Sequence, residues 1–195
     1  MKILKMLSDK VLPTLFWLCI MLAFDSPAIC ILTLISAAIH EVGHIALAAA
    51  VKRGDVSLPR ATFLGLKIDT GSLLSYKEEA IIAAGGPLFN LVIFVLTLPF
   101  FARSEYLLYL GIINLFTALS NLLPMRGSDG ARIIHSIASI RCSAELADRI
   151  TDVLTLLLSA ILSVISLLIV MLRGEGWWIF AFFFSALLSE ILKRH

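Results

Sequence analysis

Apolar residues in this chain run in long blocks, and polar residues gather in the short gaps between them. Six blocks approach the ~20 apolar residues that cross a bilayer as a helix: 11–24, 28–51, 80–101, 106–123, 150–172 and 177–192. Asp25-Ser26-Pro27, Arg103-Ser104-Glu105 and Arg173-Gly174-Glu175-Gly176 separate them in pairs. The first block is the shortest and depends on its flanks. It competes with a cleaved signal peptide, against which stands the lack of a small-x-small cleavage site, and with a short interfacial helix.

Two stretches break the pattern. Between 56 and 74, Pro59, Gly65 and Gly71 punctuate short, partly alternating apolar residues (Phe63, Leu64, Leu66, Ile68), which predicts a β-hairpin near the membrane surface. Over 129–140, Ser128-Asp129 gives a helix N-cap signal. Arg132, Ser136 and Ser139 fall on a different face from Ile133, Ile134 and Ile137, which predicts a short amphipathic helix at the interface. The fold expected is an all-α polytopic membrane protein of about six transmembrane helices. A small membrane-associated β-hairpin lies between the second and third, and one domain spans 1–195.

Composition agrees with the blocks. Of 195 residues 59% are hydrophobic and 15% charged, with a mean hydropathy of +0.98; soluble domains run near 45–50% and about 25%. Fourteen of the 16 Lys and Arg fall at the two ends, after the second block or after the fourth; only Arg103 and Arg173 fall in the other gaps. Positive residues stay on the cytoplasmic side. A multi-pass cell-membrane protein with both termini cytoplasmic is therefore expected, and six spans have the matching parity. Cys19, Cys30 and Cys142 are odd in number and match no zinc or disulfide spacing, so they read as small hydrophobes. Glu78 and Glu79 suit the N-terminus of the third span, where they favour its dipole. Trp177 and Trp178 suit an aromatic belt.

The second block holds the chemistry: residues 40–44 read HEVGH. Residues four apart share a helix face, so His40 and His44 point the same way and can share one metal ion. Glu41 is rotated by ~100° from His40, beyond their ligand set but within reach of a water. Two neutral imidazoles on zinc with a glutamate base is the chemistry of HExxH. Ionisable residues within a span are costly and mark function. Gly43 removes a side chain where a backbone or substrate comes close. His40 lies ~18 Å along a helix from Lys52, which sets the site inside the membrane, toward the cytoplasm.

Catalytic zinc takes three protein ligands and keeps a fourth position open. Glu78, Glu79, Asp129, His135, Asp148 and Asp152 are the candidates for the third. Asp129 is favoured, because it follows a Pro124/Gly127 turn leaving the fourth span, and irregular backbone at that depth must line a cavity or be buried in protein.

These motifs together resemble the site-2 protease family of intramembrane zinc metalloproteases. HEVGH is followed about 85 residues later by Asn121-x-x-Pro124 and then Asp129-Gly130, with Gly86-Pro87-Leu88-Phe89-Asn90 between them. The branch most similar is the bacterial sporulation proteases of the stage IV FB type, without the CBS nucleotide-sensing domain or a PDZ domain. The resemblance implies one zinc per chain on His40, His44 and Asp129, with Glu41 as catalytic base. It implies that Asn90 and Asn121 line the cleft and hold the substrate or the oxyanion. Interhelical hydrogen bonding is the alternative role for both asparagines. Arg126 stands where the family commonly has a second proline, and Ser128 where it commonly has leucine.

The expected partners are the lipid bilayer, a transmembrane or membrane-associated protein substrate such as a sigma-factor precursor or anti-sigma factor, and regulatory membrane proteins; no nucleic acid is expected. The hairpin edge could accept an unwound substrate segment as an added strand. The alternative is a metal-binding membrane protein without protease activity, either a transporter or an inactive protease-like scaffold. Spans five and six offer a transporter only Asp152 and Glu190, each near one end of its span, and an inactive scaffold would normally lack Glu41.

Overall fold

The computed structural model describes residues 27–51, 60–62, 65–67, 74–174 and 177–192. The expected first span, 11–24, lies outside them. Six α-helices occur among the described residues: α1 Pro27–Val51, α2 Tyr76–Thr97, α3 Glu105–Leu122, α4 Asp129–Arg141, α5 Ala144–Arg173 and α6 Trp177–Leu192. Two three-residue strands, β1 Arg60–Thr62 and β2 Gly65–Lys67, pair antiparallel with Arg60 opposite Lys67.

Three helices are long and apolar enough to cross a membrane: Pro27–Val51, Tyr76–Phe100 (α2 with the 3-10 turn after it) and Ala144–Arg173. The expected fourth span is a helix of 18 residues that is not among these three, and the sixth carries only a shorter apolar helix, Ile179–Leu192. The chain is a membrane protein with three such helices among its described residues.

Local chemistry sets the helix ends. Ser75 and Glu78 form a capping box on α2: the Ser75 N–H and hydroxyl each donate to Glu78 Oε2 at 2.8 Å. Glu78 therefore does the capping expected of the glutamate pair. Ser143 accepts from the Leu146 N–H at 3.3 Å, so α5 begins at Ala144, six residues before the expected 150. The polar turn 144–149 reads as a loop by hydropathy, yet the cap makes it helical. Gly174 ends α5 at φ 73°, a left-handed C-cap that glycine adopts without penalty.

The described residues fall into two compact units. The first takes Met1–Leu74 and Gly85–Leu119, hence α1, the strands, most of α2 and most of α3. Within it α1 and α2 cross at glycine: a Cβ on Gly43 would lie 2.3 Å from Gly85 O, and one on Gly85 2.4 Å from Gly43 O. Close approach of this kind is how helices pack where lipid supplies no hydrophobic drive.

The second unit takes Ser75–Ala84 and Ser120–His195, and there α5 packs on α4 and α6. Its helices invert the water-soluble pattern. On α5, Thr151, Thr155, Ser159, Ser163 and Ser166 are buried, while Leu157, Ile161, Val164 and Leu168 are exposed. The buried hydroxyls donate back along the helix, as Thr155 does to Thr151 O at 2.8 Å and Ser163 to Ser159 O at 2.7 Å. On α4, Ser136 is fully buried and Ile137 and Ile140 are exposed. Ser136 thus packs inward while Ile137 and Ile140 face out, as suits an apolar solvent, and Ile133 and Ile134 are half-buried.

Candidate metal centre

α1 carries both histidines on its inward face. His40 is buried and His44 half-buried. Their Nε2 atoms lie 3.2 Å apart, with the rings edge to face. Nitrogens bound to one tetrahedral zinc at 2.0–2.1 Å stand roughly 3.3–3.4 Å apart, so the pair already has the spacing of two ligands. Gly86 on α2 makes room for them. A Cβ there would lie 2.5 Å from His40 Nε2 and 2.6 Å from His44 Nε2. The Gly86 N–H points at His44 Nδ1 at 3.4 Å.

Asn90, one turn further along α2 and fully buried, fixes the other side of His40. Its Oδ1 lies 2.7 Å from His40 Nδ1. Its Nδ2 donates to Ser36 O at 3.1 Å, to Ser36 Oγ at 3.2 Å and to Asn114 Oδ1 at 2.6 Å. A ligating histidine that donates its second N–H to a fixed acceptor is held in orientation. Asn114, on α3 and fully buried, belongs to no motif read from the sequence. Only its apolar setting, LGIINLF, could have flagged it.

Asp129 opens α4 and is 6% exposed. The turn before it is built by side chains. Gly127 takes φ 99°, a region that favours glycine. Ser128 caps α4, accepting from the Ala131 N–H at 3.2 Å, and its hydroxyl donates to Leu123 O and to Met125 O. Gly130 lets the first turn of α4 press on the end of α3, since a Cβ would lie 2.1 Å from Leu122 O. Arg126 and Ser128 both have physical roles in this turn. Ser128 is the cap. The Arg126 N–H, which a proline would lack, donates to Thr155 Oγ1 at 3.0 Å, and its guanidinium pairs with Asp152. Arg132 lies 3.5 Å from Asp129 Oδ1.

His40, His44 and Asp129 form a group that could hold a metal ion: each offers one ligand atom, and these atoms lie within 4.8 Å of one another. Two imidazoles and a carboxylate are a three-ligand set of the kind catalytic zinc uses, so the residues fit the ion. Among the other candidates for third ligand, His135 sits 3.3 Å from Asp148, Asp152 pairs with Arg126, and Glu78 caps α2. Glu41 is half-buried on α1 beside His40, and Asn121 is half-buried in the last turn of α3.

No family model matches the sequence, and no curated protein matches it. The structure is similar to that of the site-2 protease from Methanocaldococcus jannaschii, with a TM-score of 0.58 and 20% sequence identity, over 95% of this chain and 87% of that one. The chain shares the fold of that protease.

Proposed function

We propose that this chain is a zinc-dependent intramembrane endopeptidase of the site-2 protease family, similar to the stage IV FB branch. It hydrolyses a peptide bond within or near a transmembrane segment of a membrane-protein substrate. The observation that carries the reading is the grouping of His40, His44 and Asp129 ligand atoms within 4.8 Å, in a chain with the fold of a site-2 protease.

His40, His44 and Asp129 would hold zinc, which when bound lowers the pKa of water toward ~7 and polarises a carbonyl. Glu41 takes the proton of the attacking water on its carboxylate and returns it to the leaving amine. Asn90 has both amide hydrogens engaged by Ser36 and Asn114. This supports orienting His40 as its task, in place of the substrate contact the resemblance implies, and leaves Asn121 as the asparagine for substrate or oxyanion. The position of His40 within the apolar helix Pro27–Val51 supports a site below the headgroups, and the Lys and Arg excess at the two ends and after the second and fourth blocks supports the cytoplasmic side of a multi-pass protein with cytoplasmic termini. The strand pair β1–β2 supplies an edge on which an unwound substrate could add a strand. Membrane-anchored sigma-factor precursors and anti-sigma factors are suitable substrates.

The test is co-expression with candidate single-span membrane proteins, comparing wild type with Glu41→Gln. Cleavage by wild type, falling about 10²–10⁴-fold in the variant with zinc retained, is expected for loss of a general base. Equal cleavage by both would remove Glu41 from the mechanism.

A further inference from the structure

We propose that Asn114 is a positioning residue for the metal centre: acting through Asn90, it holds His40 in the tautomer whose Nε2 lone pair faces the site. The proposal rests on the zinc-hydrolase reading and names a residue of α3 that serves it.

Two main-chain carbonyls fix the polarity of the chain of bonds. Leu110 O can only accept, and Asn114 Nδ2 lies 2.8 Å from it. The Asn114 amide therefore turns its NH2 to its own helix and its Oδ1 to α2, where Asn90 Nδ2 lies at 2.6 Å. Asn90 Nδ2 also lies 3.1 Å from Ser36 O, the second obligate acceptor. Both amide hydrogens of Asn90 are then committed, and its Oδ1 is left facing His40 Nδ1 at 2.7 Å. An acceptor there requires the proton on Nδ1. A neutral imidazole carries one N–H, so His40 Nε2 is a bare lone pair, 3.2 Å from His44 Nε2. Every hydrogen in the series from His40 to Leu110 donates away from the centre, so each bond polarises the next in the same sense.

Removing Asn114 undoes this from a distance. One Asn90 hydrogen loses its acceptor in a fully buried place, where an unmet donor is costly. Turning the Asn90 amide over then becomes competitive: it trades the unmet donor for the loss of the bond to Ser36 O, and the Ser36 hydroxyl, which donates to Thr117 Oγ1 at 3.2 Å, can turn to donate to the Oδ1 in its place. The NH2 then faces His40 Nδ1, the ring proton moves to Nε2, and the ligand nitrogen is closed. An interhelical hydrogen bond of purely structural value predicts none of this.

The experiment uses the full chain in detergent, stripped of metal and labelled with 15N-histidine. The His40 ring signals are assigned by their loss in His40→Gln. Wild type is expected to show His40 protonated on Nδ1, and Asn114→Leu a large share protonated on Nε2 with zinc affinity about tenfold weaker by chelator competition. Asn114→Asp, as the neutral acid, keeps the acceptor oxygen and should keep wild-type affinity. Asn114→Leu added to Asn90→Leu should cost nothing further, since the two act in series. The proposal is overturned by a wild-type His40 protonated on Nε2, a measurement that needs no variant to fold. Unchanged zinc affinity in Asn114→Leu, or additive losses in the double variant, overturns it as well. Zinc bound equally by wild type and Asn114→Leu sinks this proposal alone; no zinc bound by wild type sinks the hydrolase reading beneath it.

Discussion

Substituting Gly86→Ala places one methyl group against the two imidazoles that would hold the metal. Its Cβ would lie 2.5 Å from His40 Nε2 and Cε1 and 2.6 Å from His44 Nε2. Ordinary contact begins near 3.5 Å, so the rings must withdraw by about 1 Å. The atoms that give way are the far ends of side chains, and overpacking of this kind costs about 1–3 kcal/mol. Function suffers more. A displacement of about 1 Å can lower catalysis about 100-fold. Gly85→Ala is the matched control, because its Cβ meets backbone, 2.4 Å from Gly43 O and 2.8 Å from Gly43 C. It should therefore lower the thermal midpoint of the first unit more than Gly86→Ala does. Zinc titration against a competing chelator, with thermal melts of both variants, separates the two. Gly86→Ala should bind zinc at least tenfold more weakly, as disturbed ligand orientation does elsewhere, at a melting temperature near wild type. Wild-type zinc affinity in Gly86→Ala would refute the placement of the histidine rings against α2.

Ser128→Ala removes the cap of α4 and should cost about 1 kcal/mol, read as a lower melting temperature. Arg126→Pro deletes the N–H donated to Thr155 and should destabilise more than Asp152→Asn. The exposed Arg126–Asp152 pair contributes about 0–1 kcal/mol, so denaturation of both variants ranks the two contacts. Chelation should abolish cleavage in the co-expression system's membranes, and zinc should restore it; cleavage that survives complete metal removal would point to another reaction.

The two histidines were legible because helix periodicity alone brings positions 40 and 44 to one face. Asp129 was legible because Pro124, Gly127 and the Ser128-Asp129 cap signal announce a turn and a new helix, which Asp129–Arg141 then forms. Gly43 was legible as a place of close approach, and Gly85 proves to be what approaches it. Asn114 was not legible. Its role depends on which residues α2 and α3 turn toward each other, and no spacing within α3 encodes that. The packing around Asn90 was hidden for the same reason: a motif gives its position, but only the structure shows that Ser36 and Asn114 occupy its NH2. The early start of α5 was hidden because hydropathy cannot separate a polar helical turn from a loop. On α4 the sequence divides serines from isoleucines; only the structure shows that Ser136 faces inward.

Zinc K-edge absorption on the purified chain, with metal analysis beside it, addresses the central claim most directly. The account predicts about one zinc per chain, bound by two imidazoles and oxygen at ~2.0–2.2 Å, with the signal lost in His44→Ala and weakened in Asp129→Ala. A chain that takes up no stoichiometric zinc, or one whose zinc shell is unchanged in both variants, would contradict it.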